Sequence, residues 1–237
     1  MIICVLMRYG SRRLPGKALI DLGGGLTPLE LLVSQLQHSR FPTVICCPEG
    51  KEGDLIYEAA VQLDECNVFR GPLEGVVERM VLAANEFDAK SFIRVTGDDL
   101  FIDPFRLDRL AASHAEADYT FSDLPKGTES VVVKTDFAQQ LIDDPAEDSS
   151  EYWDKRRGKA WERASVQFVP LSSVTADEHT FALELDTPDD ARTIRDILIR
   201  LKEAEMEPPF TVENLAELHN ERPFPKCKPP VDIELNQ

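Results

Sequence analysis

Residues 2–17 read IICVLMRYGSRRLPGK: six apolar residues run without a break into four cations and two glycines. An unbroken apolar run of this length, rich in β-branched side chains and closed by Arg8, predicts a strand buried on both faces. Three further runs repeat the signal, TVICC at 43–47, NVFR at 67–70 and SFIRVT at 91–96. Between them lie stretches at 27–40, 54–65, 73–87 and 103–117 whose apolar residues recur every three or four positions, the period of a helix laid on a sheet. Strict alternation of the two predicts right-handed crossovers and a three-layer α/β/α sandwich with a mostly parallel central sheet. Ligands of such a sheet bind outside the carboxyl ends of its strands. The ends of the first and fourth strands are therefore where chemistry is sought.

Beyond residue 118 the alternation loosens into YTFS, SVVVKT and SVQFVPL, read as strands of mixed direction. Residues 145–164 read as a polar, exposed helix. TFALELD at 180–186 reads as a strand feeding a helix at 187–205, with Thr187 or Asp186 as cap, Pro188 in the first turn, and Asp189 and Asp190 at the positive helix end. The expected organisation is one domain over 1–220, with 118–180 as its acceptor or dimerisation side, and a proline-rich tail at 221–237.

The chain has 237 residues and a net charge of −17, which excludes a non-specific nucleic-acid binder, since phosphate backbones select clustered Lys and Arg. Hydrophobic residues at 43% and charged residues at 29% place it with globular proteins. Its five cysteines (Cys4, Cys46, Cys47, Cys66 and Cys227) form no CxxC pair, so a reducing, cytoplasmic compartment is expected rather than disulfides or zinc. No basic leader precedes the first apolar run, and no stretch approaches the ~18 apolar residues of a membrane span.

In so acidic a chain, Arg8, Arg12, Arg13 and Lys17 within ten residues call for an anionic partner. Gly10 and Gly16 would let backbone amides approach phosphate oxygens while the cations neutralise a triphosphate. It is not a Walker A loop: five residues separate Gly10 from Gly16, and Ala18 stands where that motif has Ser or Thr. A solvated basic turn is the other reading. At the fourth strand's end, RVTGDDLFIDP (94–104) brings Asp98 and Asp99 side by side, which demands a cation or hydrogen-bond donors. Either Mg²⁺ bridging to phosphates or a turn satisfied by its own amides would serve. Asp103 before Pro104 reads as a helix cap. Asp186, closing its strand, reads equally as a second metal carboxylate or as a cap. His38, His114, His179 and His219 have no metal or triad spacing, and no GxSxG elbow occurs.

These stretches resemble, in order, the motifs of the cytidylyltransferases that activate acidic and other sugars, above all the spore-coat polysaccharide branch, related to CMP-ketodeoxyoctulosonate and CMP-sialate synthetases. MRYGSRRLPGK (7–17) is similar to ARMGSxRLPGK, VFRGPLEGVVERM (68–80) to FRGsxxdVLxR, RVTGDDLFIDP to RiTGDcPliDP, and LELDTPDDARTI (183–194) to vDTpeDlxxi. The resemblance implies a Rossmann-like nucleotide-diphospho-sugar transferase fold. It also implies an enzyme that joins CMP from CTP to a sugar acid or sugar phosphate, releasing pyrophosphate with Mg²⁺ as cofactor. By the same resemblance Arg8, Ser11, Arg13 and Lys17 hold the triphosphate, Lys17 at the α-phosphate, with Arg8, Lys17 and Asp98 the catalytic set. Gly10 lets base and ribose pack on the loop, Arg70 and Arg79 lie near the nucleotide, and Asp98 and Asp186 ligate the metal. Glu129, in LPKGTESVVV, contacts the acceptor, and the protein pairs as a homodimer. Arg79 also reads as a surface helix residue.

The chain departs from the family at Leu6 and Met7, where Gln-Ala is usual, and at Cys46, Cys47 and Pro48, where Ala-Thr-Ser is usual. Both places border the base, so GTP and UTP stay open beside CTP. The family's reHvT segment has no counterpart; Tyr152, Trp153, Lys155, Arg156, Arg157 and Trp161 stand there as an altered acceptor lid or a dimer contact. Two other functions stay open: a catalytically weak nucleotide-binding relative, and a glycosyltransferase using a finished nucleotide sugar.

Overall fold

In the computed structural model, residues 1–143, 160–171 and 183–224 are described. Their strands are β1 (Ile2–Leu6), β2 (Thr43–Pro48), β3 (Asn67–Gly71), β4 (Ser91–Thr96), β5 (Tyr119–Ser122), β6 (Val131–Lys134) and β7 (Val166–Val169). They form one sheet in the order β3-β2-β1-β4-β6-β5-β7. The first four expected strands are all present and mutually parallel. β6 runs antiparallel to both β4 and β5, while β7 pairs parallel with β5, the mixed direction expected beyond residue 118.

Strand alternation splits the core in two. Ile3 and Val5 of β1 face one cluster and Ile2 and Cys4 the other, all at 2% exposure or less. The first cluster is covered by α1 (Pro28–Leu36), α2 (Lys51–Ala60), α4 (Pro104–Ser113), α6 (Pro188–Glu203) and α7 (Val212–Glu221). The second is covered by α3 (Val76–Glu86) and α5 (Thr135–Asp143). Helices on both faces give the three-layer sandwich. Each fully buried Val, Leu or Ile contributes about 1.5–3 kcal/mol relative to exposure, so this two-sided core is the main stabilising term.

Several helix starts follow the sequence. Asp103 accepts from the amides of Phe105 and Arg106, capping α4, and Pro104 takes the first turn. Thr187 and Asp190 form a reciprocal capping box at α6. Other expectations need correction. α2 starts at Lys51, three residues before the expected boundary, because Gly50 at φ 73° turns the chain straight from β2 into the helix. α5 and α7 were not expected at all. The strand expected at 180–186 is not one over its described part, where Glu184 makes a single antiparallel bridge to Asp99. Of the helix expected at 145–164, residues 145–159, with Tyr152, Trp153, Lys155, Arg156 and Arg157, lie outside the described residues, as does the tail from 225. Trp161, expected in an exposed segment as part of an acceptor lid or a dimer contact, is instead 7% exposed and packs edge-on against Tyr119 and Phe137, with ring centroids 5.1 and 4.9 Å away. A large indole beside two aromatic rings gains more from burial than from a surface position. Among the described residues no helix is long and apolar enough to cross a membrane.

The segment 183–186 is held against the carboxyl end of β4 by backbone bonds from Leu183 N–H to Lys126 O (2.8 Å) and from Leu185 N–H to Asp98 O (2.9 Å). Gly127 makes this approach possible. Its φ is +87°, and a Cβ there would lie 2.4 Å from the Leu183 carbonyl carbon. Left-handed backbone with no room for a methyl is a position for glycine alone. Gly127→Ala should therefore lower the unfolding free energy by about 1–3 kcal/mol in denaturant titration; an unchanged midpoint would show that the contact is dispensable.

Candidate active site

β1 lies between β2 and β4, so the chain leaves β1 in one direction along the sheet and later returns on its other side. The crevice at this reversal opens at the carboxyl ends of β1 and β4, where Leu6 pairs in register with Thr96. Gly97 donates its amide to Leu6 O at 2.9 Å, and a Cβ at Gly97 would meet the Leu6 carbonyl oxygen at 2.8 Å, so the two strand ends touch through backbone.

The loop at 8–17 is folded on itself. Tyr9 O accepts from the amides of Ser11 (3.0 Å) and Gly16 (2.9 Å), and Tyr9 N–H donates to Glu52 O at the start of α2 (2.8 Å). Gly16 takes φ +67° beneath the Tyr9 ring, in a place a side chain would contest. A short 3₁₀ turn, Lys17–Leu19, then buries Ala18 and aims Lys17 across the crevice. The loop's backbone is thus hydrogen-bonded within itself and to α2, while Arg8, Arg12 and Arg13 stay exposed on it.

Lys17 Nζ donates to Asp98 Oδ2 at 2.8 Å, to Leu185 O at 3.0 Å and to Asp186 Oδ1 at 3.2 Å. Arg13 Nη2 reaches Asp186 Oδ2 at 2.7 Å. Four residues named from three separate stretches of sequence therefore meet at one point. The capping role left open for Asp186 belongs to Thr187, so the Asp186 carboxylate faces the crevice. Burial works against the charge on Asp98, but the Lys17 ammonium and the Thr96 hydroxyl outweigh it and hold its pKa below the usual carboxylate value. Asp99 goes the other way. It is 7% exposed, accepts from the Thr96 hydroxyl, and is pushed well above the ordinary range by burial first and then by the charges of Asp98, Glu129 and Glu184. The adjacent carboxylates are therefore pushed in opposite directions, Asp98 toward the charged form by Lys17 and Asp99 toward the protonated form by burial.

The other expected residues fall around this point to different degrees. Arg8 and Arg12 are exposed and make no ion pair among the described residues. The Ser11 hydroxyl accepts from Leu14 N–H at 3.4 Å within the loop. Gly10 is covered by the Glu52 carboxylate, which stands where a Cβ would be. Glu129 is exposed and close enough to Asp99 to raise its pKa. Arg70, on β3, is held against the start of α2, bonded to Asp54 Oδ1 (2.5 Å) and Gly50 O (3.3 Å) and stacked 5.2 Å from the Tyr57 ring. Arg79, also read as a surface helix residue, is 3% exposed. It donates to Pro72 O (2.9 Å), Leu73 O (2.8 Å) and Cys46 O (3.5 Å), tying the β3–α3 loop to β2. Burial lowers its pKa, with Arg8 adding to the effect. Glu52, Asp54, Tyr57 and Thr96 escaped the sequence reading; only the position of Thr96, two residues before the first of the paired aspartates, could have flagged any of them.

Asp98 and Asp186 suit a divalent cation of the magnesium type, which takes one or two carboxylates and completes its shell with water and phosphate oxygens. No group of three or more His, Cys, Asp or Glu could hold a metal alone among the described residues.

The cytidylyltransferase family model matches residues 2–185. The chain belongs to the cytidylyltransferase family. Its spore coat polysaccharide biosynthesis relative SpsF, from Bacillus subtilis strain 168, is 34% identical over 128 residues, 51% of this chain and 53% of that protein. The chain thus matches about half the length of this curated relative. Among solved structures, a cytidylyltransferase from Leptospira borgpetersenii superposes with a TM-score of 0.81 at 22% identity, covering 94% of both chains. CMP:2-keto-3-deoxy-manno-octonic acid synthetase, solved with CTP, gives 0.62 at 14% identity over 84% of this chain and 98% of that one. At such identities the shared property is the nucleotidyltransferase fold. The core cytidylyltransferase motifs, from the first loop to Leu185, fall within the matched range, while Asp186 and α6 follow it directly.

Asp99 gives a test with a definite sign. A carboxyl whose folded pKa is raised binds a proton that the unfolded chain has released, so it subtracts stability as pH rises above the unfolded value near 4. Asp99→Asn should melt higher than the parent at pH 7, with the gap closing as pH falls toward 4. A gap constant with pH, or reversed, would mean that Asp99 is ionised in the folded protein.

Proposed function

We propose that this cytidylyltransferase-family protein transfers a nucleoside monophosphate from a nucleoside triphosphate, CTP first, to a sugar acid or sugar phosphate with release of pyrophosphate. The product would serve as a precursor of surface polysaccharide. The observation that carries the reading is the meeting of Lys17 and Arg13 with Asp98 and Asp186 at the switch point of the sheet. A cationic loop and a carboxylate pair facing each other are the two halves of a site for a metal-bound polyphosphate.

In this reading Arg8, Ser11, Arg13 and Lys17 orient the triphosphate along the loop. An acceptor oxygen forms a bond to the α-phosphorus as the bridging bond to the β-phosphate breaks in line, and Lys17 neutralises the charge that grows on the transferring group. Bound at Asp98 and Asp186, Mg²⁺ would act as a Lewis acid on the phosphate oxygens. Glu129 is the proposed acceptor contact, since it stands on the loop that holds segment 183–186 in place. Arg70 borders the nucleotide, and Arg79 supports the site by fixing the backbone of β2 and the β3–α3 loop. The proposal extends to a cytoplasmic homodimer, supported for the compartment by four free thiols among the described residues and for the dimer by family resemblance alone.

A thermal-shift panel of CTP, GTP, UTP and ATP, each with and without Mg²⁺, tests the ligand, because a ligand of the native state raises its melting point by mass action. CTP with Mg²⁺ should give the largest shift; no shift with any of the four would sink the proposal. Lys17→Ala and Asp98→Ala should each cut pyrophosphate release at least about a hundredfold, the cost of losing one contact to transition-state charge. Near-parental turnover in either variant would remove that residue from the machinery.

A further inference from the structure

An ammonium has three N–H donors, and Lys17 has three acceptors in hand: Asp98 Oδ2, Asp186 Oδ1 and Leu185 O. It therefore has no donor left for a phosphate. Conversely, the carboxylate oxygens that would take a divalent cation are both occupied by the same ammonium, and Arg13 holds the second oxygen of Asp186. The Lys17 side chain is largely enclosed, at 16% exposure, so this pairing is shielded from water rather than loosely formed. A divalent ion placed between the two carboxylates would stand where Nζ now is, and two cations cannot share that point.

We infer that Lys17 is the resident counter-ion of the Asp98–Asp186 pair, and that metal and nucleotide bind by one exchange in which the metal displaces Lys17 from the carboxylates onto the phosphates. The inference rests on the reading of this site as a nucleotidyltransferase centre. Two consequences follow. The protein alone has low affinity for a divalent cation, because binding must first evict an ammonium that then has nowhere to go. Nucleotide supplies that destination, so each ligand raises the affinity for the other by the same factor. Arg13, at 66% side-chain exposure, is free to swing with Lys17 from Asp186 to a phosphate at little cost. The resting ion pairs keep the loop and the carboxylates in register until both ligands arrive, which is preorganisation without a bound ligand.

The test is Mn²⁺ binding to the full chain by electron paramagnetic resonance, without nucleotide and with CTP, in the parent, Lys17→Met, Lys17→Gln and Lys17→Met/Asp98→Asn. Without nucleotide, Lys17→Met should bind one Mn²⁺ at least about tenfold more tightly than the parent, within the usual range of coupling between sites. Asp98→Asn should abolish that gain, and the parent should reach comparable affinity only when CTP is present. Lys17→Gln keeps a polar group between the carboxylates and carries the same expectation should Lys17→Met fail to fold. If both Lys17 variants bind Mn²⁺ no better than the parent while the parent binds Mn²⁺ with CTP, the counter-ion role is wrong and the nucleotidyltransferase reading stands. If no variant binds Mn²⁺ at a site sensitive to Asp98→Asn, with or without CTP, the carboxylate pair is not a metal site, and both the exchange and the metal half of the proposed function fall.

Discussion

One ammonium group, that of Lys17, joins parts of the chain 81 and 169 residues apart, and the geometry of the site depends on that junction. Without it, Asp98 would lose its ion-pair partner and Asp186 would keep only the exposed Arg13, in a chain already carrying a net charge of −17. The cost of holding like charges together is met locally rather than by the distant surface, whose field is screened within about 8–10 Å at physiological salt. The fold supplies what the ammonium alone cannot. β1 and β4 are adjacent and parallel, so the cationic loop leaves the sheet beside Asp98, and Gly127 lets segment 183–186 close over the same strand end.

The paired aspartates at residues 98 and 99 show how the site sets charge without extra residues. Facing Lys17, one carboxyl is favoured in its charged form; buried against Thr96, the other is favoured in its protonated form.

Much of this was legible in the sequence because it rests on local pattern. The first four strands are apolar runs, the loop is a cation cluster in an acidic chain, and Asp103 before Pro104 is a helix cap whatever surrounds it. Asp186 read equally as a metal carboxylate or a helix cap, and the capping box of Thr187 with Asp190 gives the cap to Thr187. What escaped depends on tertiary context. α7 carries a cap at Thr211 paired with Asn214, but what fixes it is distant: Val212 N–H donates to Asp103 Oδ2, and Phe210 exchanges bonds with the buried Gln35. α5 follows β6 with no break, so its short apolar set of Phe137, Ala138 and Leu141 merged with the strand. Arg79 and Trp161 look like surface residues by type, and each is buried because a particular partner waits for it: three carbonyls for the guanidinium, two aromatic rings for the indole.

Diffraction from crystals grown with Mn²⁺ and a non-hydrolysable CTP analogue, recorded at the manganese edge, tests the central claim most directly. The expected result is one anomalous peak between Asp98 and Asp186, with Lys17 Nζ moved off both carboxylates and onto a phosphate oxygen. Manganese bound away from this pair, or bound nucleotide with Lys17 still bridging Asp98 and Asp186, would contradict it.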